Sequence, residues 1–437
     1  MNSTVGKWVW PGLSALICLY AFAIPNSLRE APSLLLCMLF SLICAAAWLL
    51  PQRESPPVWR RPEMPWLMAG LGIFILTLCV KPLITLLVHR AGTEGGLLDP
   101  SAAFIAYLQL GGIFMAFALG FRLSLTDETG RRLMDALLMA GAAWALISIF
   151  MHISDPDGVY GVRKIGTGRL TGAFASPNTA ATFFGAISVL ALGRLISRFT
   201  SSKSRRLSHR IEPVAAAALL VCLGALSLTL SRAGILATLT AGVILSFLLL
   251  RRSLSLWKWL GLIAACAAVL ALIYATPALD ALSRFDTLSQ DMDARSVIFD
   301  AHYDIASKQS WFGSGLGSFR QINSLIMTPE NVGALWPVGS LHNVYLQWYE
   351  EAGLTGLMAL GLLNLAVIVP MGLAVRRRQS MGPRILTVLL AYLVFLLHGF
   401  TDFAFQEPAM TFFLGLLMGC GYALATNGRT SWRQSAT

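Results

Sequence analysis

Residues 352–375 read AGLTGLMALGLLNLAVIVPMGLAV, and three arginines follow directly at positions 376–378. A helix needs about 20 mostly apolar residues to cross the hydrocarbon core of a bilayer. The stretch is continuously apolar rather than alternating, which is typical of a spanning helix and not of a barrel strand. It therefore predicts a transmembrane helix whose basic end lies in the cytoplasm.

Similar stretches recur along the whole chain. The 437 residues are 56% hydrophobic and 13% charged, whereas a soluble domain carries roughly 25% charged residues. This composition excludes a soluble globular protein and predicts an all-α integral membrane protein, with one transmembrane bundle over residues 1–437. We count twelve candidate spans, at about 8–25, 32–50, 65–89, 101–121, 133–153, 172–196, 213–231, 233–250, 259–276, 352–375, 385–402 and 408–426.

The net charge of +11 follows the loops between these spans. With the N-terminus in the cytoplasm, 22 of the 33 Lys and Arg residues lie on the cytoplasmic side, ten lie outside, and Lys81 lies within a span. The positive-inside rule then places both termini in the cytoplasm. The positive charge is an orientation signal, and we predict no nucleic-acid partner.

Three segments outside the spans can be distinguished: a short periplasmic loop at 154–171, a long periplasmic loop at 277–340, and a short cytoplasmic tail at 427–437. Loops held by a rigid scaffold often carry binding and catalytic residues, so the long loop is expected to be functional. We expect it to contain short amphipathic helices, one of them capped by Asp293 with apolar positions repeating every four residues from Val297 to Ile305. The Gly-rich stretch GSGLGS at 313–318 predicts a turn.

Positive charges on the outer side run against the sorting rule. Arg163 and Arg169 precede the sixth span, and Arg232 lies at the tight turn between the seventh and eighth spans. Arginine beside apolar segments is costly unless it meets an anion, so these residues predict an anion site. The alternative is that they reach out to lipid phosphates. Lys81 could line the same site, or it could pair with an acidic residue.

His342 opens the helix that follows the long loop, and it is the candidate general base. It lies at the outer membrane boundary beside Asn343 and could face the arginines across the bundle. The other five histidines are weaker candidates for the base because of their positions. His89 and His152 lie at span ends, His209 on the cytoplasmic side, His302 on the loop helix and His398 inside an apolar run. Four carboxylates near the outer ends of late spans could act as a base, although pairing with arginine is the commoner use: Glu350, Glu351, Asp402 and Glu407.

We predict no metal site. Two D-x-D patterns on the outer side, at 155–157 and 291–293, could hold a divalent cation against a pyrophosphate. Aspartates beside proline are more typical of turns, however, and aspartates before helices are more typical of caps. The seven cysteines all lie within predicted spans and indicate core packing rather than a disulfide framework.

Four separated motifs between about positions 163 and 356 carry a resemblance to a known family. They are RLTGAFASPNTAATFFG, SRAG, the RSVIF helix leading to GSGLGSF, and LHNVYLQWYEEAGLTG. In this order they resemble the O-antigen ligase and polymerase superfamily of bacterial inner membranes. Twelve spans, with one dominant outer loop between the ninth and tenth, are more similar to the ligase branch than to the polymerase branch.

The resemblance implies transfer of a polysaccharide from undecaprenyl pyrophosphate to a sugar of the lipid A core, at the periplasmic face. It implies no nucleotide, metal or other cofactor. By motif, the essential arginine before the sixth span falls on Arg169, with Arg163 close enough to be confused with it. The arginine of the Ser-Arg motif falls on Arg232, and the histidine of the His-Asn motif falls on His342.

Two alternative functions would use the same charged residues. An O-antigen polymerase or a protein O-oligosaccharyltransferase of the same superfamily would differ only in the acceptor. A transporter of lipid-linked sugars or anions would use the cations to bind a transiting substrate, and paired discontinuous helices in two halves would favour it. We see no such pairing in the sequence.

Overall fold

The computed structural model describes residues 42–43, 61–88, 96–159, 162–163, 168–174, 176–199, 212–251, 255, 257, 261, 285–309, 311–336, 338–378 and 380–427. In chain order the longer elements are α1 (Met64–Val88), α2 (Pro100–Leu123), α3 (Asp127–Ser154), β1 (Gly158–Val159), β2 (Val162–Arg163), α4 (Pro177–Phe199), α5 (Glu212–Leu228), α6 (Arg232–Leu250), α7 (Phe285–Lys308), α8 (Phe319–Leu325), α9 (Val332–Leu335), α10 (Val344–Arg377), α11 (Gly382–His398) and α12 (Pro408–Thr426). β1 and β2 form a short antiparallel pair, and a 3-10 helix, Ala404–Gln406, precedes α12.

Seven of the described helices are long and apolar enough to cross a membrane: α1, α2, α3, α4, α6, α10 and α12. The shorter apolar helices α5 and α11 coincide with two further predicted spans. The predicted helical class is therefore confirmed for this part of the chain. The spans predicted at 8–25, 32–50 and 259–276 lie outside the described residues, apart from isolated positions, so the count of twelve stays a prediction.

α12 lies at the centre of the bundle, with all 19 of its residues buried. It packs along α2 through glycines on both helices. A Cβ on Gly419 would overlap the carbonyl of Phe117, and a Cβ on Gly120 would overlap the main chain of Leu416. Small residues let the main chains of two membrane helices approach this closely. The α2–α12 pair is thus held by backbone proximity.

α4 is the second mostly buried helix, and it packs against α5, α6 and α11. Gly185 of α4 lies against Thr238 of α6, and Gly193 lies against Thr387 of α11. The side chains between these helices belong to the largest apolar core, which also includes α12. The N-terminus of α4 is therefore fixed by three neighbouring helices.

α10 is broken at Gly353, whose φ of 70° separates an N-terminal segment, 344–352, from the apolar segment that contains most of the predicted span. The Gly-rich turn of the long loop binds at this break. Ser314 N donates to Glu350 O at 3.1 Å, and Gly315 N donates to Glu351 O at 2.8 Å. The break thus ties the loop to the top of α10.

Basic residues at the predicted cytoplasmic end are held by residues distant in the sequence. The guanidinium of Arg378 donates to both carboxylate oxygens of Asp127 at 2.7 Å. The guanidinium of Arg61 donates to Thr426 Oγ1 at 2.8 Å and lies 5.1 Å from the centre of the Phe121 ring. This end of the bundle is separated from the N-terminus of α12 by the full length of that helix.

The predicted loop helix is present, but two details of the prediction are wrong. α7 begins at Phe285, so Asp293 lies inside the helix and not at its cap. The buried line runs through Ile298, His302 and Ala306, whereas Val297 is 40% exposed. The buried face of α7 is shifted by one residue from the predicted face. The reason is that α7 packs on the N-terminal segment of α10, where a histidine of α7 contacts a buried carboxylate.

Candidate functional site

The turn between α5 and α6 places Arg232. Ser231 caps α6 by accepting the N–H of Gly234 at 3.4 Å, and its own N–H donates to Thr229 Oγ1 at 3.2 Å. Leu230 has a φ of 52°, and the connection between α5 and α6 is only three residues long, at 229–231. Arg232 becomes the first residue of α6 and is half-buried. A helix N-terminus and a guanidinium together favour an anion at this position.

Arg169 lies against the same turn. Its Nε donates to the carbonyl oxygen of Thr229 at 2.9 Å, and its Nη2 donates to Asn178 Oδ1 at 3.3 Å. The next residue, Leu170, donates its N–H to the carbonyl of Leu228 at 2.9 Å. Arg169 and Arg232 therefore flank one turn, although 62 residues separate them in the sequence.

A buried histidine, His398, connects the two arginine-bearing segments. It ends α11 and is 1% exposed. Its Nδ1 lies 2.7 Å from Thr182 Oγ1, one turn along α4 from Asn178, and its Nε2 lies 3.4 Å from Ser231 Oγ. The hydroxyl of Thr182 reaches the carbonyl of Asn178 at 3.3 Å. His398 thus contacts Ser231, the residue before Arg232, and Thr182, one helical turn from the Arg169 partner Asn178.

His342 is anchored to the chain that follows His398. Its ring contacts Phe403 edge to face, with ring centroids 4.9 Å apart. Two residues further on, the N–H of Val344 donates to the carbonyl of Gly399 at 2.9 Å. Asn343 caps α10 by accepting two N–H groups. The segment 398–403 therefore contacts His342 through Phe403, and it contains His398, which contacts both arginine-bearing segments.

Asp402 completes this arrangement. Its side chain is fully buried, and its Oδ2 accepts the hydroxyl of Thr179 at 3.1 Å. Thr179 directly follows Asn178, the partner of Arg169, and Phe403 directly follows Asp402. Asp402, one of the four late carboxylates named from the sequence, thus touches the N-terminus of α4.

Among the described residues, Glu350 and Glu351 contact groups other than arginine, unlike the commoner use expected for them. Glu350 Oε1 lies 2.7 Å from His302 Nδ1, with both side chains fully buried. Glu351 Oε2 accepts the N–H of Gly317 at 2.7 Å, and its Oε1 accepts the N–H of Phe319 at 3.3 Å. These carboxylates dock the long loop on α10.

The remaining cations predicted for the site have fewer described contacts. Lys81 is buried in α1, and its Nζ reaches the carbonyl of Gly96 at 3.5 Å. Nearby, Leu98 N donates to Ser314 O at 3.0 Å, which places this segment at the loop turn. Arg163 lies in β2, and its side chain is outside the described part of the structure. The structure therefore leaves the roles of Lys81 and Arg163 as predictions.

The D-x-D pattern at 155–157 forms a turn, in which Asp155 Oδ1 accepts the N–H of Asp157 at 3.3 Å. The second pattern, at 291–293, lies inside α7. Among the described residues, no group of three or more His, Cys, Asp or Glu side chains is placed to hold a metal ion. The turn expected at 313–318 is confirmed by positive φ values at its three glycines.

Sequence reasoning missed two buried histidines. His398 was set aside because it lies in an apolar run, yet a polar side chain in such a run is costly and calls for a partner. His302 was set aside as a residue of the loop helix, yet it lies four residues from both Ile298 and Ala306. That spacing could have indicated a histidine on the buried face.

Residues 217–361 match the family model described as O-Antigen ligase. The matched range contains Arg232, His342 and the whole long loop, whereas Arg169 and Asp402 lie outside it. The match confirms the resemblance to the O-antigen ligase and polymerase superfamily found from the four motifs. A comparison with curated proteins finds no match.

Proposed function

We propose that this protein is an O-antigen ligase. It transfers O-antigen polysaccharide from undecaprenyl pyrophosphate to a sugar hydroxyl of lipid A core, and so completes lipopolysaccharide. The observation that carries the proposal is that Arg169, Arg232 and His342, distant in sequence, are anchored on one framework of α4, the α5–α6 turn and segment 398–403. The choice of ligase over polymerase rests on the resemblance to the ligase branch.

The two arginines bind the pyrophosphate of the donor. Breaking the bond between sugar and phosphate leaves a pyrophosphate whose negative charge must be stabilised in a poorly solvated site. Arginine stays charged there and donates two parallel hydrogen bonds to phosphate oxygens. The N-terminus of α6 adds its own partial positive charge beside Arg232. Arg163 and Lys81 are further candidates for the same anion.

His342 is the general base. The oxygen of the acceptor hydroxyl forms a bond to the anomeric carbon of the donor, and its proton passes to the imidazole. The bond between the anomeric carbon and the pyrophosphate oxygen breaks, and undecaprenyl pyrophosphate leaves as an anion. The imidazolium then releases its proton to water. No nucleotide, metal or other cofactor enters these steps.

The proposed setting is the bacterial inner membrane, with both termini in the cytoplasm and the site facing the periplasm. This orientation is supported by the distribution of Lys and Arg residues among the loops. Both substrates carry lipid tails, so they reach the site sideways through the membrane, and the loop 277–340 covers their sugars.

The test is an in vitro transfer reaction with purified protein, lipid-linked polymer and lipid A core, analysed on a gel. We expect a polymer ladder on lipid A core that persists with a chelator, and no ladder with His342→Ala protein that remains folded. A His342→Ala variant with near wild-type transfer would overturn the assignment of the base. Loss of activity with the chelator would overturn the cofactor-free mechanism.

The same assay separates the rival functions by acceptor. A polymerase would lengthen lipid-linked repeats without using lipid A core, and a protein O-oligosaccharyltransferase would need a polypeptide acceptor. A transporter would move the lipid-linked sugar across a vesicle membrane without joining it to anything. Any of these results in place of the ladder would overturn the ligase proposal.

A further inference from the structure

The main chain at His342 has an uncommon conformation. Its φ is 55°, in the left-handed region that side chains other than glycine seldom adopt. Such a conformation persists only when the surroundings over-determine it, and it is found often at functional sites. The contacts that hold the residues on either side of His342 therefore decide where its imidazole lies.

On the C-terminal side, the main chain is held by α11 and by the helix cap. Val344 N donates to Gly399 O at 2.9 Å, and Asn343 accepts the N–H groups of Tyr345 and Leu346, each at 3.1 Å. These contacts fix the start of α10. They do not hold the peptide on the N-terminal side of His342, which needs a separate contact.

Gln347 provides that contact. It lies in the first turns of α10, and its side chain reaches back so that its Oε1 accepts the N–H of Leu341 at 3.2 Å. The same oxygen accepts Nε2 of Gln406, which follows the 398–403 segment. Gln347 is only 9% exposed. One amide oxygen thus joins the residue before His342 to the chain that carries Asp402 and Phe403.

The other end of the Gln347 amide is tied to the long loop. Its Nε2 donates to Glu351 Oε1 at 2.9 Å, which fixes which end of the amide faces Leu341. Glu351 is 8% exposed and also accepts the N–H groups of Gly317 and Phe319. The Gly-rich turn of the loop is therefore joined through two side chains to the peptide before His342.

We propose that Gln347 is a positioning residue, which sets the conformation of His342 and, through Glu351, makes that conformation depend on the docked loop. The inference rests on the proposed function, because it needs His342 to be the general base. Gln347 acts through main chain and touches no substrate. The base would then have its active position only when the long loop, which covers the sugars, is docked on α10.

The experiment replaces Gln347 with methionine, which has a similar length and neither a strong donor nor a strong acceptor. The control is Gln321→Met, the same change at an exposed residue of α8. Both changes are made in the wild-type protein, and kcat, KM for the lipid-linked donor, the pH dependence of kcat/KM and the thermal unfolding temperature are measured. Small misplacement of a reacting group can lower a rate about 100-fold.

We expect Gln347→Met to lower kcat by about 10- to 100-fold with little change in donor KM, since the arginines are held by other contacts. The acid limb of kcat/KM, assigned to His342, should move in Gln347→Met and stay in place in Gln321→Met.

A second pair of variants covers a failure of Gln347→Met to fold. Gln347→Glu alone places two carboxylates next to each other. Adding Glu351→Gln restores the hydrogen bond between residues 347 and 351, with the donor now on residue 351. The carboxylate at position 347 still accepts the N–H of Leu341. We expect the double variant to recover part of the kcat lost in Gln347→Glu. No recovery, in protein that folds, would count against the proposal.

An unchanged kcat or an unmoved acid limb in folded Gln347→Met protein would overturn the positioning role and leave the proposed function intact. A fully active His342→Ala protein would instead overturn the base itself, and the positioning role with it. The two failures are therefore distinguishable.

Discussion

Arg232 occupies a helix position that electrostatics makes unfavourable for a cation. It is the first residue of α6, where the unpaired N–H groups carry partial positive charge. An arginine there adds like charge to like charge, and the arrangement becomes favourable when an anion binds between them. Stability and ligand binding thus make opposite demands on this residue.

Replacing Arg232 by lysine keeps the charge and removes the planar pair of donors. We expect Arg232→Lys to lower transfer by at least about 10-fold and to raise the donor KM, with no loss of thermal stability. Transfer kinetics and an unfolding curve on the same preparation measure both.

The matched control is Arg251→Lys, at the exposed C-terminal cap of the same helix. Unchanged transfer by this variant would show that the loss belongs to the position and not to α6 as a whole. If Arg232→Lys transferred at the wild-type rate, two-donor recognition of the pyrophosphate at this residue would be wrong.

His302 is a buried residue with a described partner at each of its two ring nitrogens. Its two ring nitrogens face Glu350 Oε1 at 2.7 Å and Asn323 Oδ1 at 3.2 Å. The Asn323 amide is oriented by its own donation to Leu335 O at 3.0 Å, so its oxygen must face the ring. Both ring nitrogens therefore face oxygen atoms.

At the residue scale, the sequence selected candidate side chains but did not reveal the neighbours that hold them. Arg169, Arg232 and His342 were selected from charge on the unexpected side and from motifs, both of which can be read locally. Their link through His398 joins residues more than 160 positions apart in the sequence. No local pattern carries that information.

At the element scale, the start of α2 is set by a single carboxylate. Asp99 caps the helix by accepting the N–H groups of Ser101 and Ala102, at 3.1 and 3.0 Å. The hydrogen bond from the N–H of Ala102 and that from the Ser101 hydroxyl lower the pKa of Asp99 below its usual value. Ionised aspartate is thus the form that stabilises this helix end.

The sign of the resulting pH dependence follows from the lowered pKa. The stabilisation is present above the unfolded-state pKa, about 4, and is lost as the pH falls through the lower folded-state pKa. Asp99 is half-buried at a helix end close to solvent, so we expect a contribution of at most about 1 kcal/mol. Thermal unfolding of wild type and Asp99→Asn between pH 7 and pH 3 measures it.

Asparagine caps a helix about as well as aspartate and does not titrate in this range. Asp99→Asn should therefore match the wild type near neutral pH and lose less stability on acidification. Identical acid sensitivity in the two proteins would mean that the charge of Asp99 contributes nothing at this helix end.

The spans were predictable as elements because the hydrophobicity of a membrane helix is written in consecutive residues. The loop helix α7 was harder to predict. Its start was placed at an aspartate that could have been a cap, and its buried face was assigned to apolar residues alone. The face that is buried carries His302, because Glu350 on α10 supplies a partner that the sequence of α7 does not reveal.

At the scale of the whole molecule, the centre of the bundle depends on helices that approach through glycine. A leucine at Gly419 would place its Cβ within the main chain of α2. Overpacking of this kind costs about 1–3 kcal/mol, and more when the main chain has to move. We expect Gly419→Leu to lower the unfolding temperature in detergent markedly.

Gly372→Leu is the control, because a Cβ on Gly372 of α10 meets nothing within 4 Å. Both changes raise helix propensity by the same amount, so that effect cancels in the comparison. Equal unfolding temperatures for the two variants would show that the close approach of α2 and α12 contributes nothing to stability.

The position of α12 has a consequence for the order of assembly. It is the last of the described helices to be synthesised, yet the helices made before it surround it completely. Those earlier helices must stay apart within the bilayer, or reopen, until α12 enters between them. The segment 398–403 that anchors His342 lies immediately before α12. The framework of the site can therefore be completed only once α12 has been inserted.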